Sequence, residues 1–374
     1  MTALDAAPDR APDCAPDRAP ALAPAVAADR VPPTAAPAAP DWNRILAPYK
    51  GVHLGKSLWQ LGSTASLFAL NWWAMVASLE VGYWLTLLLA LPAAGLLTRL
   101  FIIQHDCGHG CFFRTPRANH VVGFLLGVVT LTPYQYWRRT HALHHAGSGD
   151  LDRRDFGEIH TLTVREYQAL SRRGRLGYRL YRNMFVMLVI GPVWQFVFKH
   201  RLPIDTPRDW KREWRSVMLT NLGIAAVLTF AALTLGLGRF ALVHLPIVVF
   251  GGALGVWLFY VQHQFEDTYW EEHESWDFHR AGAEGSSFLD LPRWLHWFTG
   301  NIGYHHVHHL SSRIPNYSLR RCMEENPELS AVTRLTWRHS FACARLKLWD
   351  EESRRLVAFA DLRDGACRSA ASVT

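Results

Sequence analysis

The sequence predicts an all-α chain that crosses a membrane several times, and three observations lead there. Four apolar runs long enough to cross a bilayer arrive in two pairs with short links. Three compact histidine clusters flank those runs. Basic residues crowd the segments that carry the histidines and are nearly absent from the opposite turns. Together they predict four transmembrane helices in two hairpins, with a cytoplasmic helical cap holding a di-metal site.

The first 40 residues are Ala, Pro, Asp and Arg, with the near-repeat APDR-APDC-APDR from Ala7 to Arg18. Such a stretch buries no core and is expected to be a disordered tail. It has no apolar core of a signal peptide, and its aspartates argue against a transit peptide. The main domain is expected over residues 41–345, with a C-terminal cytoplasmic tail over 346–374.

The first pair of spans is expected at Ser57–Leu79 and Tyr83–Ile103, joined by the tight link Glu80-Val-Gly82. Arg99 is the awkward residue there, and near the end of its span it is expected to snorkel towards water. Val121–Leu131 is too short to cross, and Met184–Phe198 is interrupted by Gly191-Pro192. Both are expected to be interfacial or re-entrant. The second pair is expected at Val217–Leu235 and Phe240–Gln262, linked by Gly236-Leu-Gly-Arg239. With only these four crossing, residues 104–215 and 263–374 lie on one side, and every histidine cluster lies in them. Residues 104–215 include Arg138, Arg139, Arg153, Arg154, Arg172, Arg173 and Arg175, whereas the opposite links carry only Arg239. The positive-inside rule then makes the histidine side cytoplasmic.

The clusters read His105-Asp-Cys-Gly-His109, His141-Ala-Leu-His144-His145 and His305-His-Val-His308-His309. On a helix, residues three and four apart share a face, so each of the later clusters is expected to aim three imidazoles at one point. Neutral imidazole ligates iron, zinc and copper. One such cluster is ordinary; eight nitrogens in three clusters are too many for one metal and suit two. Cys107 and Cys111 lie about 200° round the helix from His105 and His109. With Cys14, Cys322, Cys343 and Cys367 they form no CxxC or disulfide framework and are expected to be reduced packing residues.

From about Asp41 to Leu329 the chain resembles the membrane fatty acid desaturases of the three-histidine-box superfamily, especially acyl-lipid Δ12/ω6-type and bacterial Δ5-type members. The likeness rests on the boxes and on Ser57-Leu-Trp-Gln60, Trp137-Arg-Arg-Thr-His-Ala-Leu-His-His145, Leu162-Thr-Val-Arg-Glu-Tyr167, Tyr178-Arg-Leu-Tyr-Arg-Asn183, Val261-Gln-His-Gln-Phe-Glu266, Gly300-Asn-Ile-Gly-Tyr-His-His-Val-His-His-Leu310 and Ile314-Pro-Asn-Tyr317.

The resemblance implies two iron ions held by His105, His109, His141, His144, His145, His305, His308 and His309. It adds His263, which stands where this superfamily carries a further ligand histidine after the fourth span. His306 sits about 100° off the face shared by His305 and His309 and is left out. His53, His120, His160, His200, His244, His273, His279, His296 and His339 fit no pattern. Among nearby acids, which include Asp155 and Asp277, Asp106 and Glu266 are candidates to hold the far nitrogens of ligating histidines. Asn301 and Tyr304 are nearby residues of open role.

The implied reaction is an O2-dependent oxidation that draws two electrons, leaves a cis double bond in a fatty acyl chain and releases O2 as water. The sequence shows no GxGxxG after a strand, no cysteine cluster and no fused haem domain. A separate electron donor, a ferredoxin or a cytochrome b5, is therefore expected. The expected setting is the membrane, with bacterial likenesses pointing to an inner (cytoplasmic) membrane. Trp257, Phe259, Tyr260, Trp294, Trp297 and Phe298 are candidates to line an apolar tunnel. Two rivals stand: a hydroxylase on the same scaffold, and a membrane protein whose histidines hold zinc or copper for structure or transport. A transporter would carry its ligands near the midplane, within its spans.

Overall fold

The computed structural model describes residues 40–154 and 157–362. The Ala/Pro tail before Pro40, Cys14, Asp155 and Cys367 fall outside them. The architecture is helical with two small two-stranded sheets. Nine helices position the site: α1 (Leu54–Ser78), α2 (Tyr83–His109), α3 (Pro116–Val129), α4 (Tyr134–Gly147), α5 (Arg172–Tyr181), α6 (Lys211–Thr234), α7 (Leu237–His263), α8 (His305–Leu310) and α9 (Asn316–Glu325).

Three of these, α2, α6 and α7, are long and apolar enough to cross a membrane. A fourth candidate is α5 together with the segment 186–201, bent by 58° at the break between them. The expected first span is a helix of 25 residues, but it does not reach the same apolarity. Its polar side chains explain the shortfall, because they turn inward. Ser57, Gln60 and Thr64 are buried, while Leu58, Trp59, Leu70 and Trp73 face outward. Gln60 Nε2 donates to Asn316 Oδ1 at 2.9 Å, and Asn71 Nδ2 donates to the Leu89 carbonyl at 2.9 Å.

Helix ends follow local chemistry. α1 begins where His53 Nδ1 accepts from the Lys56 amide, and α3 where Thr115 accepts from Ala118 with Pro116 in the first turn. α2 ends on His109, because the next residue, Gly110, adopts a left-handed conformation (φ 69°) and its N–H returns to the Asp106 and Cys107 carbonyls. That stop sets His105 and His109 on the last turns of a span.

The short run at Val121–Leu131 is α3, a helix of 14 residues wedged beside α2, α4 and α6. Gly123 and Gly127 allow this wedging: a Cβ at Gly123 would stand 2.3 Å from the Tyr134 ring, and one at Gly127 2.6 Å from the Thr132 carbonyl. The interrupted run at Met184–Phe198 contains two π-helical turns, Val186–Ile190 and Val193–Phe198, packed along α7.

Two expectations are corrected. Arg99 does not snorkel. It is 8% exposed, Nε donates to Thr64 Oγ1 at 3.1 Å, an NH group donates to the Trp297 carbonyl, and the guanidinium lies 4.4 Å from the Trp297 ring centre. Nearby partners satisfy the charge better than an extended reach to water. Nor does the stretch from residue 346 begin as a tail. β3 (Leu346–Asp350) and β4 (Arg355–Ala358) form an antiparallel hairpin that buries Leu348, Trp349 and Leu356, and Trp349 N–H donates to the Leu162 carbonyl. The other sheet pairs β1 (Phe288–Asp290) with β2 (Arg334–Thr336) in parallel.

A buried arginine ties this hairpin to the helices. Arg182 reaches Gln264 Oε1 at 2.7 Å, Thr161 Oγ1 at 2.9 Å and the Leu346 carbonyl at 3.2 Å. Cys107, Cys111, Cys322 and Cys343 are buried free thiols, as the spacing predicts.

Candidate metal centre

Four elements deliver the nine histidines. α2 brings His105 and His109, α4 brings His141, His144 and His145, α7 ends on His263, and α8 carries His305, His308 and His309. They sort into two groups. His105, His109, His141, His145 and His308 form one, and His144, His263, His305 and His309 form the other; within each group the ligand atoms lie within 4.8 Å of one another.

The expectation that each HxxHH cluster aims at one point is corrected. In α4, His141 and His145 join the first group and His144 the second. In α8, His305 and His309 join the second and His308 the first. Helical geometry explains the division. Residues i and i+4 are about 40° apart around the axis, whereas i+3 lies about 100° from i+4, so it points to the other side of the same face. Each short helix thus serves both groups, in opposite proportion.

Ring nitrogens approach closely. His105 Nε2 lies 3.0 Å from His308 Nε2, which lies 2.9 Å from His145 Nε2; His145 and His141 Nε2 are 3.1 Å apart. In the other group His263 and His305 Nε2 are 2.9 Å apart. Nε2 of His109, His144 and His309 is buried without a hydrogen-bond partner. Unpaired buried nitrogens converging in pairs of groups are costly unless something accepts their lone pairs. An all-nitrogen donor set suits a transition metal, so the residues fit a metal pair.

Electrostatics agree. Burial holds the imidazoles of His141, His145, His305, His308 and His309 well below the usual histidine range, and brings His144 down to about 3. Neutral rings offer lone pairs. The four-histidine group is buried throughout, whereas His109, His141 and His145 of the other are half-buried.

The surrounding carboxylates differ in part from expectation. Asp106 Oδ1 lies 3.0 Å from His105 Nδ1, and Oδ2 accepts the Asn316 N–H at 2.7 Å and its Nδ2 at 2.8 Å. It therefore orients His105 while docking the start of α9. Glu266 does not approach the histidines: its side chain is 63% exposed and pairs with Arg355 at 3.5 Å. The acid that does approach is Glu158, whose Oε1 lies 3.5 Å from His144 Nδ1 and whose side chain is 7% exposed. Burial pushes its carboxyl up to about 8. His263 Nδ1 lies 3.1 Å from the Gly285 carbonyl.

The unpatterned histidines stand apart from both groups. His306 is buried against Phe288, His200 contacts Gln195, and His273 contacts Asp150. Asp277 caps a helix through the Arg280 amide, and Asn301, at positive φ, donates to the Asn316 carbonyl. Tyr304 packs its ring on Phe288 and His296.

A cavity of about 790 Å³ opens beside the histidines. His105, His141 and His305 border it, so both groups reach it. Phe101, Trp137, Met187, Phe196, Leu258 and Phe259 give it an apolar wall, and Gln195, Lys199, His200 and Asp205 a polar end. Of the six aromatics named from sequence only Phe259 lines it. Trp257 stacks on Phe341, Tyr260 bonds the Leu346 carbonyl, Trp294 is exposed, Trp297 covers Arg99, and Phe298 faces Gly95. The wall comes instead from α2, α4 and α7 together with Met187 and Phe196 of the π-helical segment, which periodicity does not flag.

Comparison with known proteins agrees with this geometry. Residues 81–341 match the family model for fatty acid desaturases. A fatty acid desaturase of Bacillus subtilis (strain 168) is 48% identical over 81% of this chain and 86% of its own. The sn-1 oleoyl-lipid 12-desaturase of Anabaena variabilis is 26% identical over 68% of this chain and 71% of its own. The sn-1 acyl-lipid omega-3 desaturase (ferredoxin) of Synechocystis is 27% identical over 60% and 62%. Relatives that share the scaffold are named as desaturases, which does not favour the hydroxylase alternative. With its apolar helices and paired histidine groups, the chain belongs to the fatty acid desaturase family and is an oxidoreductase of that kind.

Proposed function

We propose that this chain introduces a cis double bond into the acyl chain of a membrane lipid at two irons held by the nine histidines. The observation that carries the reading is the cavity: one apolar space bordered by histidines of both groups. Its volume lies within the range of ligand pockets, roughly 300–1,000 Å³.

The metal pair, when bound, supplies the O2 activation that removal of hydrogen from an unactivated methylene requires. The chain's own residues do the rest. His105 is oriented by Asp106, and His263 by the Gly285 carbonyl. Phe101, Leu258 and Phe259 keep water from the wall of the cavity and hold an acyl chain against the histidines. At the polar end Lys199 pairs with Asp205 at 2.8 Å, and Tyr136 donates to the same carboxylate at 2.8 Å. This end suits the ester side of a glycerolipid, with the methyl end running between α2 and α7.

The membrane reading takes α1 and α2 as one hairpin and α6 and α7 as the other. The outward apolar face of α1 supports its crossing despite its inward polar residues. The load of arginine on the histidine side supports a cytoplasmic site in a bacterial inner membrane. Among relatives, the Synechocystis omega-3 enzyme is named for ferredoxin. Here too a separate one-electron carrier, of ferredoxin or cytochrome b5 type, supplies the two electrons.

The test is gas chromatography with mass spectrometry of total lipids, with dimethyl disulfide adducts, from a bacterial host supplied with ferredoxin. A new unsaturated acyl species, absent with His145→Ala, is expected. A hydroxylated product would overturn the reaction, as would no new product from iron-loaded, reduced protein.

A further inference from the structure

Of the nine histidines, His144 alone has both ring nitrogens buried and without a hydrogen-bond partner. A ligand imidazole needs its far N–H fixed, because that bond sets both tautomer and ring orientation. Among the described residues, one carboxylate stands beside His144 Nδ1. Glu158 Oε1 is 3.5 Å from Nδ1, at the outer limit of a hydrogen bond, and Oε2 of the same carboxyl is buried without a partner.

The backbone holds Glu158 there. Gly157 has φ of 73°, and a Cβ on it would stand 2.9 Å from the Thr140 carbonyl and 3.0 Å from His144 Cβ. Only glycine brings the chain this close to α4 with a left-handed φ, and the next residue is thereby set against the imidazole. Glu158 also borders both the small cavity beside His144, Phe259 and His263 and the large cavity of the proposed acyl site.

We propose that Glu158 is the positioning residue of the four-histidine group: it accepts the Nδ1–H of His144 and turns Nε2 of that ring toward the second metal. Asp106 does the same for His105 in the five-histidine group, so each metal has its own carboxylate–histidine pair. Oε1 accepts whether or not the carboxyl is protonated on Oε2, so the role does not depend on its ionisation. The inference rests on the two-metal reading above.

The experiment is iron content of purified full-length protein after dialysis against a graded Fe(II) chelator, with 57Fe Mössbauer spectra of the retained metal. Wild type is expected to hold two irons. Glu158→Ala is expected to lose one of the two at about 10- to 100-fold lower chelator concentration, the cost typical of losing such a partner, and to keep the spectrum of the other. Glu158→Gln, which retains an acceptor oxygen, is expected to restore the second iron. Ala and Gln variants that both hold two irons as wild type does would overturn the proposal, as would loss of both irons in parallel from a variant of unchanged helicity and elution. Wild-type protein that never binds two metals would instead overturn the two-metal reading.

Discussion

Asp106 joins two tasks in one side chain, and its loss therefore separates them. Asp106→Asn keeps a carbonyl oxygen for one of its two partners, His105 or Asn316, but not the charge; Asp106→Ala removes both contacts. Asp106→Ala is expected to weaken metal binding about 10- to 100-fold, with Asn intermediate, read as iron retained after chelator dialysis. Equal retention by all three proteins would contradict the role. Proton linkage gives a second expectation. Unfolded histidines titrate near 6.5, whereas burial holds six site imidazoles lower in the fold. Below about pH 6.5 the unfolded chain then binds more protons, so stability is full above that pH and is lost as pH falls. Glu158, raised to about 8, runs the other way, but it is one carboxyl against six imidazoles. Metal-free protein in detergent is expected to melt lower at pH 5.5 than at pH 7.5; an equal or higher midpoint would contradict this.

At the scale of elements, the histidines were legible because their chemistry and spacing are both local. Their division was not, since i+3 and i+4 separate only when two targets lie on one face. The four long helices were legible from apolar length, and α1 shows the limit: its inward Gln60 and Thr64 lower its apolarity without exposing polar atoms outward. Glu158 was hidden because its place depends on the positive φ of Gly157 and on close approach to α4. Arg182 reads as one more basic residue in sequence, yet it bonds Gln264, Thr161 and the Leu346 carbonyl and holds the β3–β4 hairpin to α7. Arg182→Ala removes hydrogen bonds to a buried charged group, worth about 1.5–3 kcal/mol each, and leaves Gln264 Oε1 and the Leu346 carbonyl with only Thr161 and Tyr260 as partners. A fall of at least about 3 kcal/mol in stability is expected from denaturant or thermal unfolding, and a change under 1 kcal/mol would sink the assignment.

For the whole molecule, the proposed topology puts both histidine groups and the electron donor on the cytoplasmic side, with the turns at Glu80–Gly82 and Gly236 opposite. Cysteines placed at exposed Arg313 and at Val81 test it. In intact cells a membrane-impermeant maleimide is expected to label Val81→Cys and to spare Arg313→Cys until the membrane is opened. The reverse pattern would invert the topology. Two hairpins frame the site, and short helices α4 and α8 each feed both groups, so neither metal group can form without the other's scaffold. The π-helical segment closes one side of the large cavity through Met187 and Phe196, and the α3 wedge packs against α2, α4 and α6.

The central claim is that nine histidines divide into a group of five and a group of four, each holding one iron. Mössbauer spectroscopy of the reduced, 57Fe-loaded protein tests it most directly. Two quadrupole doublets of equal area, at two irons per chain, are the expected result because the groups differ in ligand number. A single iron per chain, with one doublet, would contradict the account.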